Sequence, residues 1–248
     1  MELEQFWVAH PKAAIAFSGG VDSAYLLYSA VQAGARVKAY YAKTAFQPQF
    51  ELDDARALAD WLGAEMEILP LDILSVPHVA ENPKNRCYYC KQALFTVITQ
   101  KARADGFSLL LDGTNASDQA DDRPGMQALQ ELSVRSPLRE CGLTKAEIRR
   151  RSKAAGLFTW DKPAYACLAT RIPTGEPITA EKLRRTEDAE CFLAELGLRD
   201  FRVRSREDAA LIQVTQGDFR KVCAHREEIT ARLKRDYKAV MLDLEVRP

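Results

Sequence analysis

The chain has 248 residues, enough for one large domain or two modest ones with a real hydrophobic core, and 47% hydrophobic and 28% charged residues mark an ordinary soluble globular protein. Basic and acidic side chains balance at 35 each, which does not support a large electrostatic grip on nucleic acid. No run reaches about 18 uninterrupted apolar residues, and the first residues carry no basic stretch leading into an apolar one, so neither a membrane span nor a signal peptide is expected. The expected setting is cytoplasmic, with the six cysteines reduced.

In chain order, residues 1–10 form a short amphipathic helix stopped by Pro11, followed by a strand over Ala13–Phe17 and a helix over Asp22–Ala33 that ends at Gly34. Arg36–Ala42 is β-rich, Glu51–Leu62 has helical spacing and stops at Gly63, and Glu65–Leu71 is a strand candidate. Lys91–Ala104 is a helix, and Ser108–Leu111 a short buried strand running into "DGTN". Strands alternating with helices predict an α/β fold with a doubly wound, mainly parallel sheet. Thr144–Ala155 is helical, with Thr144 and Glu147 spaced as a capping box.

The rhythm breaks over Trp160–Pro177, a segment of prolines and glycine that reads as a linker. Beyond it a helix over Ala180–Leu196, strands near Phe201–Ser205 and Leu211–Thr215, a helix over Asp218–Lys234 and a strand over Ala239–Val246 make a small α+β domain. The expected division is therefore residues 1–170 and 171–248.

"SGGVDS", Ser18 to Ser23, sits where a strand hands over to a helix. Glycines there let backbone N–H groups converge on an anion at the helix N-terminus. Ser18, Gly19, Gly20 and Ser23 supply donors or closeness, while Asp22 would repel a bare anion and suits an N-cap or a Mg²⁺ contact. The bland alternative is a plain strand-to-helix turn capped by Asp22 or Ser23. There is neither a Walker Gly-Lys-Ser/Thr nor a GxGxxG. The hexapeptide resembles the PP-loop of the ATP pyrophosphatases, a resemblance that implies ATP binding, attack of a substrate oxygen on the α-phosphate, and departure of pyrophosphate.

"NRCYYCK" places Cys87 and Cys90 at i, i+3, on one face of a helical turn if the helix starts there. A CxxC alone fits zinc, iron–sulfur ligation, a redox pair or plain helix-start residues, but no second CxxC or paired histidines complete a closed zinc site. Cys167 stands in the irregular "KPAYACLATR". Three cysteines can hold a [4Fe–4S] cluster by three irons and leave the fourth open, or Cys167 can act alone as a nucleophile. Cys141, Cys191 and Cys223 read as packing residues, and the three histidines as structural or surface.

Together "AFSGGVDS", "NRCYYCK", "DGTNASDQADDRPG", "SPLRECGLTKAEIR", "GLFTWDKPAYACLATRIPTGEPIT" and "FRVR" resemble one PP-loop family almost end to end: the LarE family of ATP-dependent sulfur transferases of nickel-pincer nucleotide synthesis. The resemblance implies Mg²⁺-ATP at the loop, and a carboxylate of pyridinium-3,5-biscarboxylic acid mononucleotide that is adenylated and converted to a thiocarboxylate. In single-cysteine members the cysteine matching Cys167 gives up its own sulfur; the added Cys87 and Cys90 place this chain with a three-cysteine branch in which a [4Fe–4S] cluster carries the sulfide. The family also implies a homo-oligomer, with a hexamer as one form.

The same resemblance sets "DGTN" against the adenylate, with Gly113, Thr114, Asn115, Asp118 and Arg123 as cofactor-binding candidates; a simple turn at Gly113–Asn115 is the alternative. Arg202 and Arg204 alternate along a strand and share one face, either as a solvated basic face or as a clamp on a phosphate or carboxylate. Glu190 is a candidate for metal or substrate contact, with helix surface charge as its alternative. Arg171 either binds phosphate or caps its loop, and the Lys182–Asp188 mixture reads as a solvated helix face. Competing functions are a tRNA-thiolating PP-loop enzyme, a PP-loop amide ligase and a nucleotide sensor without turnover.

Overall fold

The computed structural model describes residues 2–118 and 124–247. The chain divides into two compact units, Met1–Val79 with Asn85–Tyr165, and Ala80–Lys84 with Ala166–Pro248. The division falls a few residues ahead of the expected 170/171, so Cys167 belongs to the second unit. No compositional break marks Ala80–Lys84 as a piece of that unit.

The first unit is built on a parallel sheet of β1 (Lys12–Ala16), β2 (Arg36–Lys43), β3 (Glu65–Pro70) and β4 (Leu110–Leu111), in the order β3-β2-β1-β4. Its helices are α1 (Leu3–Ala9), α2 (Val21–Gln32), α3 (Gln49–Leu62), α4 (Arg86–Ala104), α5 (Pro124–Glu131), α6 (Pro137–Glu140) and α7 (Lys145–Ala154). Successive strand residues point to opposite faces, and both faces are covered. Ala13, Ile15, Ala39 and Tyr41 pack with Phe6, Leu26, Leu27 and Leu58 on one face. Ala14 and Tyr40 pack with Phe95, Ile98 and Leu129 on the other. This is the expected doubly wound α/β fold.

Several boundaries differ for identifiable reasons. Helix α4 starts at Arg86, not Lys91, because its polar first turn has no apolar periodicity; Tyr88 and Gln92 are instead held by Glu131 of α5. The capping box at Thr144 is half formed: Thr144 Oγ1 accepts from the Glu147 N–H at 3.3 Å, while the Glu147 carboxylate turns to Arg150 and Arg151. The expected linker at Trp160–Pro177 overlaps the end of one 3-10 turn, Phe158–Asp161, and contains a second, Leu168–Arg171.

The second unit packs α8 (Ala180–Glu195), α9 (Gln216–Ala224) and α10 (Arg226–Leu233) on a sheet of β5 (Phe201–Arg206), β6 (Ala209–Val214) and β7 (Ala239–Leu242). Strands β5 and β6 form the expected antiparallel hairpin, and β7 joins β6 in parallel. The single helix expected over Asp218–Lys234 breaks at His225, which ends α9 and begins α10.

Candidate functional site

The sheet order reverses at β1: the chain proceeds from β1 to β2 and β3 on one side and returns to place β4 on the other. Open α/β sheets bind ligands at such a switch point, beyond the carboxyl ends of the strands. Here "SGGVDS" follows β1 and "DGTN" follows β4.

Gly20 is the N-cap of α2 and no side chain caps the helix, so the N-cap alternative for Asp22 and Ser23 does not hold. The first-turn N–H groups are thus left to a ligand. The two serines brace the loop: Ser23 Oγ lies 3.0 Å from Ser18 Oγ, accepts from Ser18 N at 3.3 Å and donates to Gly20 O at 3.2 Å. Gly19 is left-handed (φ 72°), and a Cβ there would stand 2.9 Å from Ala55 Cβ.

Gly113 lets β4's loop touch the phosphate loop. A Cβ on it would lie 2.8 Å from Ser23 N, against backbone that cannot move without tilting α2. Gly113→Ala is expected to destabilise the protein by about 1–3 kcal/mol through overpacking and to raise KM for ATP, measured by thermal unfolding and pyrophosphate release. The neighbouring turn is tightly bonded. Buried Asp112 takes Thr114 Oγ1 at 2.5 Å and Ser136 Oγ at 2.6 Å; Asn115, also buried, accepts from Ser117 N through its side chain, and its own N–H donates to Asp118. Arg123 lies outside the described residues.

A cleft of about 230 Å³ opens beside the loop, lined by Ser18, Gly20, Asp22, Lys145, Arg149 and Lys162. Lys145 Nζ donates to Asp22 Oδ2 at 2.6 Å. Asp22 Oδ1 is buried without a hydrogen bond among the described residues. Burial pushes the Asp22 carboxyl above the usual range, and Lys145 only partly opposes this. Lys162 is paired with Asp54 at 2.8 Å and Glu51 at 3.3 Å, and Arg149 donates to the carbonyls of Trp160 and Lys162. An unsatisfied carboxylate oxygen, a cation beside it and two adjacent glycines, Gly19 and Gly20, fit Mg²⁺ with a polyphosphate. Lys145, Arg149 and Lys162 were not anticipated as cleft residues; their only signal was that two of the motifs, "TKAEIR" and "WDKPA", contain them.

In the second unit the residues around Cys167 are pinned one by one. The Cys167 carbonyl accepts from Thr170 N at 2.9 Å and Thr170 Oγ1 at 2.8 Å. Arg171 Nη1 donates to Ala166 O at 2.9 Å, and Arg204 Nη1 to Thr170 O at 2.6 Å. Arg171 caps this loop. Its guanidinium is fully buried and forked onto Glu190, Nε to Oε1 at 2.7 Å and Nη2 to Oε2 at 3.0 Å, and Glu190 Oε1 also accepts from Val203 N at 2.9 Å. Glu190 is therefore an internal counter-ion rather than helix surface charge. Arg171→Met leaves that carboxylate buried without its cation and is expected to destabilise the second unit by about 3–5 kcal/mol, with Arg171→Met/Glu190→Gln recovering most of the loss in denaturant unfolding.

Arg202 and Arg204 share a face of β5 as expected, and the solvated-face alternative fails because Arg202 is 6% exposed. Burial, then the neighbouring Arg171 and Arg247 charges, lower the pKa of both, so the cluster is short of negative charge. The Lys182–Asp188 face is not wholly solvated either: Arg185 is buried, donating to Ser205 Oγ and Glu207 O.

Cys87 and Cys90 lie in the first turns of α4, Cys87 exposed with Arg86 Nη2 at 3.9 Å from its Sγ. All six cysteines are free. Cys191 and Cys223 are exposed, which corrects their reading as packing residues; Cys141 packs partly against the core. Among the described residues no group of three His, Cys, Asp or Glu side chains stands ready for a metal. Thiolates suit an iron–sulfur cluster by donor chemistry.

A parallel α/β sheet with an "SGGVDS" loop at the switch point, leading into an uncapped helix N-terminus, defines the PP-loop class of ATP pyrophosphatases. No protein-family model matches the chain. It is 42% identical over 218 residues to an uncharacterised protein of Synechocystis (86% of this chain, 80% of that protein). It is 31% identical over 233 residues to the pyridinium-3,5-bisthiocarboxylic acid mononucleotide synthase of Lactiplantibacillus plantarum (93% and 84%). A more distant match, 29% over 185 residues, is the tRNA-specific 2-thiouridylase MnmA of Frankia alni (60% and 52%). The chain belongs to the LarE family of pyridinium-3,5-bisthiocarboxylic acid mononucleotide synthases.

Proposed function

We propose that the protein is an ATP-dependent sulfur transferase that converts a carboxylate of pyridinium-3,5-biscarboxylic acid mononucleotide to a thiocarboxylate. The observation that carries this reading is the likeness to the Lactiplantibacillus synthase, which runs over 93% of the chain and so through both units. Ser18, Gly19, Gly20 and Ser23 hold the pyrophosphate end of ATP, with Asp22 as the Mg²⁺ contact and Lys145 offsetting phosphate charge. A substrate carboxylate oxygen attacks the α-phosphate, the bond to pyrophosphate breaks, and the loop's N–H groups stabilise the leaving charge. Sulfur then attacks the acyl carbon and AMP leaves. Gly113, Thr114, Asn115 and Asp118 line the adenylate side, and Arg123 is carried as a candidate by the family resemblance alone.

Arg202 and Arg204 bind the anionic groups of the substrate. Arg171 and Glu190 are positioning residues that hold the Cys167 loop. Cys87, Cys90 and Cys167 are the ligands of a [4Fe–4S] cluster, which when bound supplies an iron open to sulfide; in its absence Cys167 delivers its own sulfur. The family reading also carries a cytoplasmic homo-oligomer, a hexamer being the form to look for by light scattering. The test is ATP-to-pyrophosphate turnover with the pyridinium mononucleotide and mass detection of the thiocarboxylate. Turnover with tRNA or ammonia as acceptor in its place, or nucleotide binding without turnover, contradicts the reading.

A further inference from the structure

Lys145, Arg149 and Lys162 line the cleft beside the phosphate loop, and all of them lie in the first unit with that loop. Two of these cations are committed. Lys145 Nζ donates to Asp22 Oδ2, and the Arg149 guanidinium donates to Trp160 O at 2.6 Å and Lys162 O at 2.7 Å. Lys162 differs. Its Nζ is buried and donates no hydrogen bond among the described residues. Asp54 Oδ2 at 2.8 Å and Glu51 Oε1 at 3.3 Å balance its charge, but neither contact has the direction of a hydrogen bond. Burying a donor without an acceptor costs free energy, so this ammonium sits in the cleft wall at a loss that an anionic ligand recovers. Its backbone is fixed: Arg149 grips the Lys162 carbonyl, the Lys162 N–H donates to Thr159 O at 3.1 Å, and Pro163 follows. The paired carboxylates belong to α3, and the same turns of α3 back the phosphate loop. A Cβ on Gly19 would stand 3.2 Å from Glu51 O and 2.9 Å from Ala55 Cβ. The cleft, at about 230 Å³, is smaller than the roughly 300–1,000 Å³ of a pocket for a whole small ligand. It suits a polyphosphate that meets the loop and Lys162 together.

We infer that Lys162 is a further catalytic residue of adenylation, its ammonium passing from Asp54 and Glu51 to the departing pyrophosphate. This rests on the adenylating reading above. As the substrate carboxylate oxygen bonds to the α-phosphorus, the bond from phosphorus to the bridging oxygen breaks, and its electron pair stays on pyrophosphate. Lys162 meets the charge that develops there, so it holds the transition state more strongly than bound ATP. No proton moves, and the ammonium stays charged throughout.

The test compares the full chain with Lys162→Met, Lys162→Arg and Asp54→Asn, recording the thermal midpoint of each and titrating magnesium pyrophosphate and AMP separately by calorimetry. Lys162→Met is expected to bind magnesium pyrophosphate about 10–100-fold more weakly, as for a lost hydrogen bond to a charged group, with AMP affinity unchanged. Lys162→Arg recovers part of the loss. Asp54→Asn removes a carboxylate that competes for the ammonium, and is expected to bind pyrophosphate about fivefold more tightly, the upper end for a partly exposed ion pair. That gain decides the matter even if Lys162→Met fails to fold. In turnover, Lys162→Met lowers kcat more than it raises KM for ATP. Its deficit is larger with β,γ-methylene-ATP than with β,γ-difluoromethylene-ATP, whose more acidic leaving group needs the cation less. Equal pyrophosphate affinity in the parent and Lys162→Met, unchanged or weaker binding by Asp54→Asn, or an equal deficit with the two analogues overturns the inference. A parent that shows these binding effects but releases no pyrophosphate from ATP with the pyridinium mononucleotide contradicts the proposed substrate and leaves Lys162 its role.

Discussion

Cys167→Ser is expected to bring thiocarboxylate formation to background, about 10³-fold or more below the parent, while substrate-dependent pyrophosphate release continues. The reasoning is one of separated labour. In the proposed reaction activation is the work of the loop after β1, which lies in the first unit, whereas Cys167 lies in the second. The contacts that shape its loop run through the backbone carbonyls of Ala166, Cys167 and Thr170, so exchanging sulfur for oxygen leaves Arg171, Arg204 and Thr170 in place. A serine hydroxyl neither ligates iron as a thiolate does nor yields sulfide. The intact enzyme separates the two sulfur routes: loss of H₂S from Cys167 after turnover marks a sacrificial cysteine, and an unchanged chain mass marks sulfide brought from outside. Continued thiocarboxylate formation by the serine variant contradicts a role for Cys167.

Asp22→Asn is expected to slow adenylation about 10²–10³-fold, the usual loss when a preorganised charge partner at the reacting phosphates is removed, without weakening the free protein. The second half follows from the electrostatics of the cleft. Burial outweighs Lys145, so the folded protein holds the Asp22 proton more tightly than the unfolded chain does. A carboxyl whose pKa is raised on folding favours the folded state below its ordinary value, and that contribution falls away as pH rises to its raised value. At neutral pH the ionised group therefore costs stability, and asparagine removes the cost. The thermal midpoint at pH 7 should stay level or rise while pyrophosphate release collapses. A lower midpoint with intact turnover contradicts the assignment.

Much of the first unit was legible because local rules and tertiary packing agree there. The strand at Lys12–Ala16 carries small apolar residues on both faces, Gly63 ends α3 in the left-handed conformation (φ 62°), and the glycines of the loop announce an anion site. The strand-to-helix junction at "SGGVDS" and the shared face of the hairpin arginines could be placed on the same grounds. Long-range pairing was not legible. Lys145 meets Asp22 across 123 positions, and Asn82 meets Pro173 across 91, so neither leaves a local pattern. Glu190 read as a metal or substrate contact and Arg171 as a phosphate ligand or loop cap; their pairing with each other, which permits their burial, is invisible until the helix and loop are brought together. Helix α4's early start was hidden by its polar first turn, whose support comes from Glu131.

In the proposed function the loop's adenylation chemistry activates a small pyridinium carboxylate to accept sulfur. The most direct measurement mixes anaerobically reconstituted protein, Mg²⁺-ATP, sulfide and pyridinium-3,5-biscarboxylic acid mononucleotide, and counts pyrophosphate and thiocarboxylate in the same sample alongside protein-bound iron. One pyrophosphate is expected for each thiocarboxylate formed, with both absent when the mononucleotide is left out. Pyrophosphate released without any thiocarboxylate, or sulfur found on tRNA instead, would contradict it.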